Sequence, residues 1–136
     1  MICLDTNAVI ASINRRTPQV RSRLETALGQ AGIIGIPTVV LFELRFGIAK
    51  SARPRENAAV LSAFLALDVI PWPFEAEDAD EAGQIRAELE RAGASIGPYD
   101  VLIAAQARRR NAVLVTANTR EFMRVPDLNV EDWASA

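Results

Sequence analysis

The sequence contains no histidine and a single cysteine, Cys3, which lies in a short apolar run. Without histidine, the chain lacks the side chain most often used for general acid or base catalysis near neutral pH. One cysteine cannot form a disulfide within the chain, as is typical of proteins in a reducing cytoplasm. Any catalysis must therefore depend on carboxylates, and we expect a hard metal ion to assist them.

Long apolar runs are also missing. No segment approaches the roughly 18 apolar residues of a membrane span, because Gly35, Pro37 and Glu43 interrupt the best candidate. An acid at position 5 comes too early for a signal peptide. The 136 residues are predicted to form one soluble, cytoplasmic domain over 1–136.

The chain as a whole has no excess of positive charge. The net charge is −2 and Lys50 is the only lysine, so nucleic-acid binding can come only from local patches of arginine. Arg15 and Arg16 could contact phosphate, although a solvated pair explains them more simply. The arginines at 108–110 are explained by the dipole of the preceding helix, with an RNA contact as the alternative.

Short apolar runs alternate with amphipathic segments along the chain. The runs at 1–5, 33–36, 69–70 and 113–116 predict buried strands, and 128–130 could add an edge strand. The segments at 8–13, 18–28, 39–48, 52–67, 74–92, 98–107 and 118–122 predict helices. This order predicts a three-layer α/β/α sandwich around a mostly parallel sheet of four to five strands.

The segment from Ile96 to Ala107 predicts a central, buried helix. Gly97 can cap it, Pro98 suits its first position, and the residues after Asp100 are apolar on almost every side. Asp100 is then expected in the first turn of a helix that is otherwise buried away from water. Taken alone, it is explained by the positive end of the helix dipole.

Two further acids are predicted near the same sheet edge. Asp5 ends the first strand, where ligands bind in open α/β sheets, although it could equally cap the next helix. Glu43 falls on an apolar stripe predicted from Val39, Phe42 and Phe46, with no basic neighbour at helical spacing. A lone carboxylate there is costly unless a cation lies beside it, and the alternative is a salt bridge to a distant arginine.

A fourth acid is expected after the strand at 113–116. Glu121 lies there, although it also fits a capping box with Asn118. Carboxylates gathered at one sheet edge would repel one another, and a divalent cation would relieve that repulsion. Oxygen ligands favour Mg²⁺ or Mn²⁺ over zinc, and the chemistry they suggest is metal-assisted phosphodiester hydrolysis.

Five motifs together resemble the PIN-domain ribonucleases, and within them the VapC toxins of type II toxin–antitoxin systems. They are Leu4-Asp5-Thr6-Asn7, the 38–47 helix with Glu43, Gly83-Gln84-Ile85-Arg86-Ala87, Ile96-Gly97-Pro98-Tyr99-Asp100, and the segment 114–122. The resemblance covers nearly the whole chain. It implies a magnesium-dependent endoribonuclease, with Mn²⁺ as a possible substitute, that stops translation by cutting RNA, with initiator tRNA as the target in the most similar subgroup.

The resemblance also implies partners and residue roles. It implies a homodimer, or a larger assembly with a VapB-like antitoxin whose tail blocks the acidic pocket. Catalytic and metal-binding roles are implied for Asp5, Glu43, Asp100 and Glu121, although many relatives carry Asp where this chain has Asn118. Substrate contacts are assigned to Thr6, Asn7, Arg86, Thr116 and Asn118, with an Arg86–Glu90 pair within the helix as the simpler explanation of Arg86.

Other classes of protein fit less well. A phosphoacceptor receiver needs a lysine after a late strand, but Lys50 lies in a predicted helix. A haloacid-dehalogenase-type phosphatase needs a second Asp two residues after the first, where this chain has Asn7. A catalytically inactive PIN-like module that binds RNA or a partner remains the alternative.

Overall fold

The computed structural model describes residues 1–14, 17–30 and 32–135, so Arg15 and Arg16 lie outside the described part. The strands described are β1 (Ile2–Leu4), β2 (Ile34–Pro37), β3 (Val69–Trp72), β4 (Val113–Val115) and β5 (Asn129–Glu131). The helices described are α1 (Thr6–Asn14), α2 (Pro18–Gly29), α3 (Thr38–Ala49), α4 (Pro54–Leu65), α5 (Ala76–Arg91), α6 (Pro98–Arg109) and α7 (Thr119–Phe122). Among them, none is long and apolar enough to span a bilayer.

The strands form one five-stranded sheet in the order β3-β2-β1-β4-β5, with every neighbouring pair parallel. All four residues of β2 are buried, although successive side chains point to opposite faces. Both faces of the sheet are therefore covered, which is the arrangement that parallel sheets require. The predicted α/β sandwich is confirmed, and β5 is the fifth, edge strand.

The strand order reverses direction between β1 and β4. The chain moves from β1 outward through β2 and β3, then returns to place β4 on the other side of β1. Leu4 pairs with Val115, so Asp5 and Thr116 leave the sheet side by side. Ligand sites of open α/β sheets lie at such a switch point, outside the carboxyl ends of the strands.

Helix α6 is the buried element that the sequence predicted. Gly97 is its N-cap residue and Pro98 its first residue. Its buried residues are Val101, Ile103, Ala104, Ala105, Gln106 and Ala107. These small and apolar side chains let the helix pack closely against its neighbours, and they hold Asp100 at the edge of the core.

The apolar stripe predicted for α3 was wrong in phase. The buried residues of this helix are Val40 and Leu44, whereas Phe42 and Phe46 are exposed. Helical positions four residues apart share a face, so the packed face is one residue out of step with the prediction. In α4, Leu61 and Phe64 are buried, whereas the adjacent Val60 is exposed.

Among the acids at the start of α5, Glu75, Glu77 and Asp80 are exposed, whereas Asp78 is buried. Asp78 is fully buried and accepts hydrogen bonds from Nε of Arg109 at 2.6 Å and Nη1 of Arg110 at 3.1 Å. Burial alone would raise the pKa of Asp78, but these arginines and the Glu75 N–H hold it below its ordinary value. The arginine cluster therefore joins α6 to α5, which argues against its use as an RNA contact.

Strand β3 extends past the predicted end and includes Pro71. A proline is tolerated because β3 is an edge strand, where a missing N–H leaves no ladder partner unsatisfied. The Trp72 indole lies so close over Gly35 of β2 that a Cβ there would collide with it. The Arg110 guanidinium lies 4.6 Å from the centroid of the Trp72 ring.

Candidate active site

Four elements each deliver one acid to the switch point. Asp5 follows β1, Glu43 lies in α3, Asp100 in the first turn of α6, and Glu121 in α7. The charge of each of the other three acids acts on Asp100, so the structure brings the four predicted carboxylates to one place. Their roles as catalytic and metal-binding residues remain predictions.

Asp5 is the deepest of the four and is only 4% exposed. Its Oδ1 atom accepts the Ala8 N–H at 2.9 Å, so it also caps α1, and the two functions proposed for it are compatible. Burial raises the pKa of Asp5, and the nearby charge of Glu43 adds to the rise. A hydrogen bond from the Thr116 hydroxyl partly opposes that rise.

Glu43 is oriented by Thr6, the first residue of α1. The Thr6 hydroxyl donates a 2.7 Å hydrogen bond to Glu43 Oε1. Among the residues that the structure describes, Glu43 forms no ion pair, so the alternative of a salt bridge to an arginine is not supported. The contact that the structure shows for Thr6 positions an acid, and its predicted contact with substrate stays a prediction.

Asp100 carries the clearest electrostatic signature of the site. Burial, followed by the negative charge of Glu121, raises the pKa of Asp100 from 3.8 to about 6. Glu43 and Asp5 add to this rise. A helix dipole would lower the pKa of a carboxyl in the first turn, so the dipole alone does not explain Asp100. The site holds more negative charge than its own donors offset.

The turn from β4 into α7 fixes Glu121. Asn118 Nδ2 donates to Glu121 Oε2 at 3.0 Å, and Thr116 Oγ1 accepts the Asn118 N–H at 2.9 Å. Asn118 makes no side-chain cap to the helix, so the predicted capping box does not form. Thr116 is buried, and its hydroxyl joins the Asp5 side of the site to the Glu121 side.

The two remaining residues assigned to substrate differ in position. Asn7 is exposed beside Asp5, at the start of α1, and its backbone N–H also bonds the Asp5 carboxylate. Arg86 pairs with Glu90 at 3.2 Å on the exposed surface of α5, as the simpler explanation predicted. The structure therefore brings Asn7, but not Arg86, into contact with the acids.

The donor set fits a hard divalent cation. Its members are carboxylate, hydroxyl and amide oxygens, and burial raises the pKa of the nearby Cys3 thiol so that it stays protonated. Within 1–14, 17–30 and 32–135, no three acidic or thiol groups converge closely enough to bind one ion directly. An ion that keeps part of its water shell suits this spacing, and Mg²⁺ is such an ion.

Comparison with known proteins agrees with this geometry. The PIN domain model matches residues 2–128. The tRNA(fMet)-specific endonuclease VapC of Shigella flexneri is 43% identical over 132 residues, which span 96% of each chain. The enzyme of the same description from Salmonella typhimurium is 40% identical over 131 residues, again 96% of each. The chain belongs to the VapC family of PIN-domain proteins.

Solved structures of VapC complexes share the fold. VapBC2 from Rickettsia felis, bound to a promoter DNA fragment, matches with a TM-score of 0.91 and 37% identity over 98% of this chain and 99% of that chain. DNA-bound VapBC from Salmonella typhimurium matches with a TM-score of 0.89 and 38% identity over the same shares. The PIN-like fold predicted from sequence is thus confirmed.

Sequence reasoning missed the groups that orient the acids of this PIN domain. The Thr6 and Thr116 hydroxyls each hold a carboxylate, whereas the sequence assigned both to substrate. A threonine within two residues of the end of each of two strands that meet at the switch point was the available signal. Only the pairing of β1 with β4 reveals that Thr116 reaches back to Asp5.

Proposed function

We propose that this chain is the toxin of a type II toxin–antitoxin system, a magnesium-dependent endoribonuclease that cuts RNA and so inhibits translation. The observation that carries the proposal is the gathering of four carboxylates at the switch point, where the pKa of Asp100 rises to about 6. Relatives named ribonuclease or endonuclease VapC, at about 40% identity over nearly the full length, support it.

Each acid has a defined part in this proposal. Asp5, Glu43, Asp100 and Glu121 would hold Mg²⁺, or Mn²⁺ in its place. A bound cation would supply Lewis acidity to the phosphate and help activate water for attack. Thr6 keeps Glu43 turned inward, and Asn118 does the same for Glu121. Asn7, exposed beside Asp5, is available to contact the RNA.

The substrate proposed is initiator tRNA. The relatives from Shigella flexneri and Salmonella typhimurium carry the description tRNA(fMet)-specific, and they match this chain over 96% of its length. Arg86 lies on the exposed surface of α5, and its contact with a phosphate remains a prediction.

The partner proposed is a VapB-like antitoxin, and we place the complex in the cytoplasm, with the toxin as a homodimer. VapBC complexes from Rickettsia felis and Salmonella typhimurium are among the structural neighbours. An apolar groove of about 280 Å³ opens beside Glu43, between α1, α3 and α4, and suits an amphipathic segment. Its lining includes Ile10, Ile13, Leu44, Ile48, Val60 and Leu61.

Sequencing of RNA 5′ ends after brief expression tests activity and target together. Wild type should create new ends in initiator tRNA and arrest growth, whereas Asp5→Ala should create none while remaining folded by circular dichroism. Asp127→Asn, at an exposed turn, is the matched control and should behave as wild type. A folded wild-type chain that yields no new RNA ends would instead favour an inactive RNA-binding or partner-binding module.

A further inference from the structure

Residues 129–135 form a segment at the outer edge of the sheet, here called the C-terminal strap. It begins with β5, which pairs with β4 in parallel. Asp132 then closes a tight turn, because its Oδ1 accepts the Ala134 N–H at 2.9 Å and its Oδ2 accepts the Ser135 hydroxyl at 3.0 Å. The C-terminal strap is thus attached to the sheet at one end and closed by a turn at the other.

Trp133 anchors the C-terminal strap in the core. It is only 4% exposed, whereas the residues on either side of it are less buried. The Arg23 guanidinium of α2 lies 5.5 Å from the centroid of its ring, and Arg23 also pairs with Glu131 at 3.5 Å. Buried aromatic rings dominate the energetics of such contacts, so Trp133 determines where the strap lies.

The C-terminal strap is bonded to a residue that holds Asp5. The Thr116 N–H donates to the Glu131 carbonyl at 3.0 Å, two residues before Trp133. The Thr116 hydroxyl in turn donates to the Asp5 carboxylate. A displacement of the strap would therefore move Thr116, and with it one of the groups that hold Asp5.

Trp133 also lies beside a second group that holds Asp5. Trp133, Ala8 and Thr116 line one cavity of about 70 Å³, between α1, α2 and the end of β4. The Ala8 N–H donates to Asp5 Oδ1 at 2.9 Å. The Ala8 N–H and the Thr116 hydroxyl are called the Asp5 donors below. One aromatic residue thus lies next to both Asp5 donors, although one belongs to α1 and the other follows β4.

We propose that Trp133 is a positioning residue of the metal site and holds both Asp5 donors in place. It acts on one donor through the C-terminal strap and on both through the wall of the cavity. Groups behind the ligands of a metal ion fix their orientation, and the loss of such groups weakens metal binding. The proposal rests on the proposed function, since it takes Asp5 as a ligand of the cation, and it extends that site to the strap.

A tryptophan in the core also stabilises the fold, and that role alone predicts a different result. Loss of the ring would then lower the melting temperature without changing how tightly the folded chain binds a cation. Phe64 of α4 provides the matched control, because it is 3% exposed and its helix carries neither an acid of the site nor an Asp5 donor.

The test measures Mn²⁺ affinity from the EPR signal of the free ion, with each variant confirmed as folded by circular dichroism at the measuring temperature. Trp133→Ala should raise Kd for Mn²⁺ about tenfold, whereas Trp133→Phe, which restores a ring, should bind as wild type does. Phe64→Ala should lower the melting temperature yet leave Kd unchanged. If Trp133→Ala does not fold, Trp133→Leu replaces it and should raise Kd by roughly threefold or more.

Two further measurements separate positioning from a general loosening of the fold. In a Thr116→Val background, which already lacks one Asp5 donor, Trp133→Ala should raise Kd by only about threefold, because coupled residues are not additive. In RNA cleavage, Trp133→Ala should raise the Mg²⁺ concentration needed for the half-maximal rate. The KM for RNA at saturating Mg²⁺ should stay as in wild type.

The outcomes separate this proposal from the proposed function. If wild type binds Mn²⁺ and cuts RNA, but Trp133→Ala binds Mn²⁺ no more weakly than Phe64→Ala, only the positioning role fails. An undiminished effect of Trp133→Ala in the Thr116→Val background would also contradict that role. A chain that cuts no RNA, but whose Mn²⁺ binding depends on Trp133 and not on Phe64, would support the positioning role and contradict the nuclease assignment.

Discussion

At the scale of single residues, Asp100 connects the electrostatics of the site to the stability of the fold. Its pKa of about 6 in the folded chain exceeds the ordinary value of 3.8, because burial and the neighbouring acids disfavour its charge. The folded state therefore binds this proton more tightly than the unfolded state. The resulting stabilisation is complete below about pH 3.8 and is lost as pH rises through 6.

The Asp100→Asn variant should show this linkage. Asparagine cannot ionise, so without metal the variant should be more stable than wild type at pH 7.5, by roughly 1 kcal/mol after solvent screening. The difference should shrink towards pH 4. Urea denaturation in EDTA across this range measures it, with Asp127→Asn as the exposed control. A wild type that gains stability over Asp100→Asn from pH 4 to 7.5 would refute the assigned shift.

At the scale of elements, the buried ion cluster between α5 and α6 fixes the helix that carries Asp100. Asp78 accepts hydrogen bonds from Arg109 and Arg110, and Arg110 in turn covers Trp72 of β3. The pKa of Asp78 is lowered, so its stabilising contribution is present above the ordinary value of 3.8 and is lost as pH falls below it. The cluster thus holds α6 in place throughout the neutral range.

Loss of the Asp78 charge should loosen this junction. Asp78→Asn leaves two arginines without their buried partner and should lower the free energy of unfolding by about 3 kcal/mol at pH 7. Asp80→Asn, on the exposed face of the same helix, should change it by less than about 0.5 kcal/mol. Paired chemical denaturation curves provide the comparison. Equal stabilities of the two variants would show that the cluster does not stabilise the fold.

The contact between β2 and β3 gives a second prediction at this scale. A Cβ on Gly35 would collide with the Trp72 indole, so Gly35→Ala should cost about 2 kcal/mol of stability. Gly83 lies inside α5 with open space around it, so Gly83→Ala should instead add about 0.5–1 kcal/mol. Thermal melts of both variants check the opposite signs. A Gly35→Ala chain that melts with or above wild type would contradict the close packing described.

The sequence was sufficient to predict the strands and helices, but not which face of every helix packs against the core. Short apolar runs and the Gly97-Pro98 signal predicted the strands and the buried helix because burial on both faces leaves a direct compositional trace. The buried face of α3 was predicted wrongly because Val40, which is buried, and Phe42, which is exposed, are both apolar. Only tertiary packing decides which of two apolar stripes faces the core, and a partner can cover the other.

At the scale of the whole molecule, strand order creates the site. Asp5 could be predicted because it ends a strand, but its proximity to Thr116 depends on β4 lying beside β1. The burial of Asp78 could not be predicted from the sequence either, because its arginine partners lie 31 and 32 residues away in sequence. Long-range pairings of this kind leave no local periodicity. The gathering of the four acids could therefore be predicted, and their catalytic and metal-binding roles stay predictions, whereas the groups that orient them could not be predicted.

The central claim is that these four carboxylates, far apart in sequence, share one hard divalent cation. Calorimetric titration of the purified, metal-free chain with Mn²⁺ and with Mg²⁺ tests it most directly. Wild type should take up at least one ion of either metal per chain, and Asp100→Asn should bind at least tenfold more weakly while remaining folded by circular dichroism. Absence of uptake by folded wild type, or equal binding by Asp100→Asn, would contradict the account.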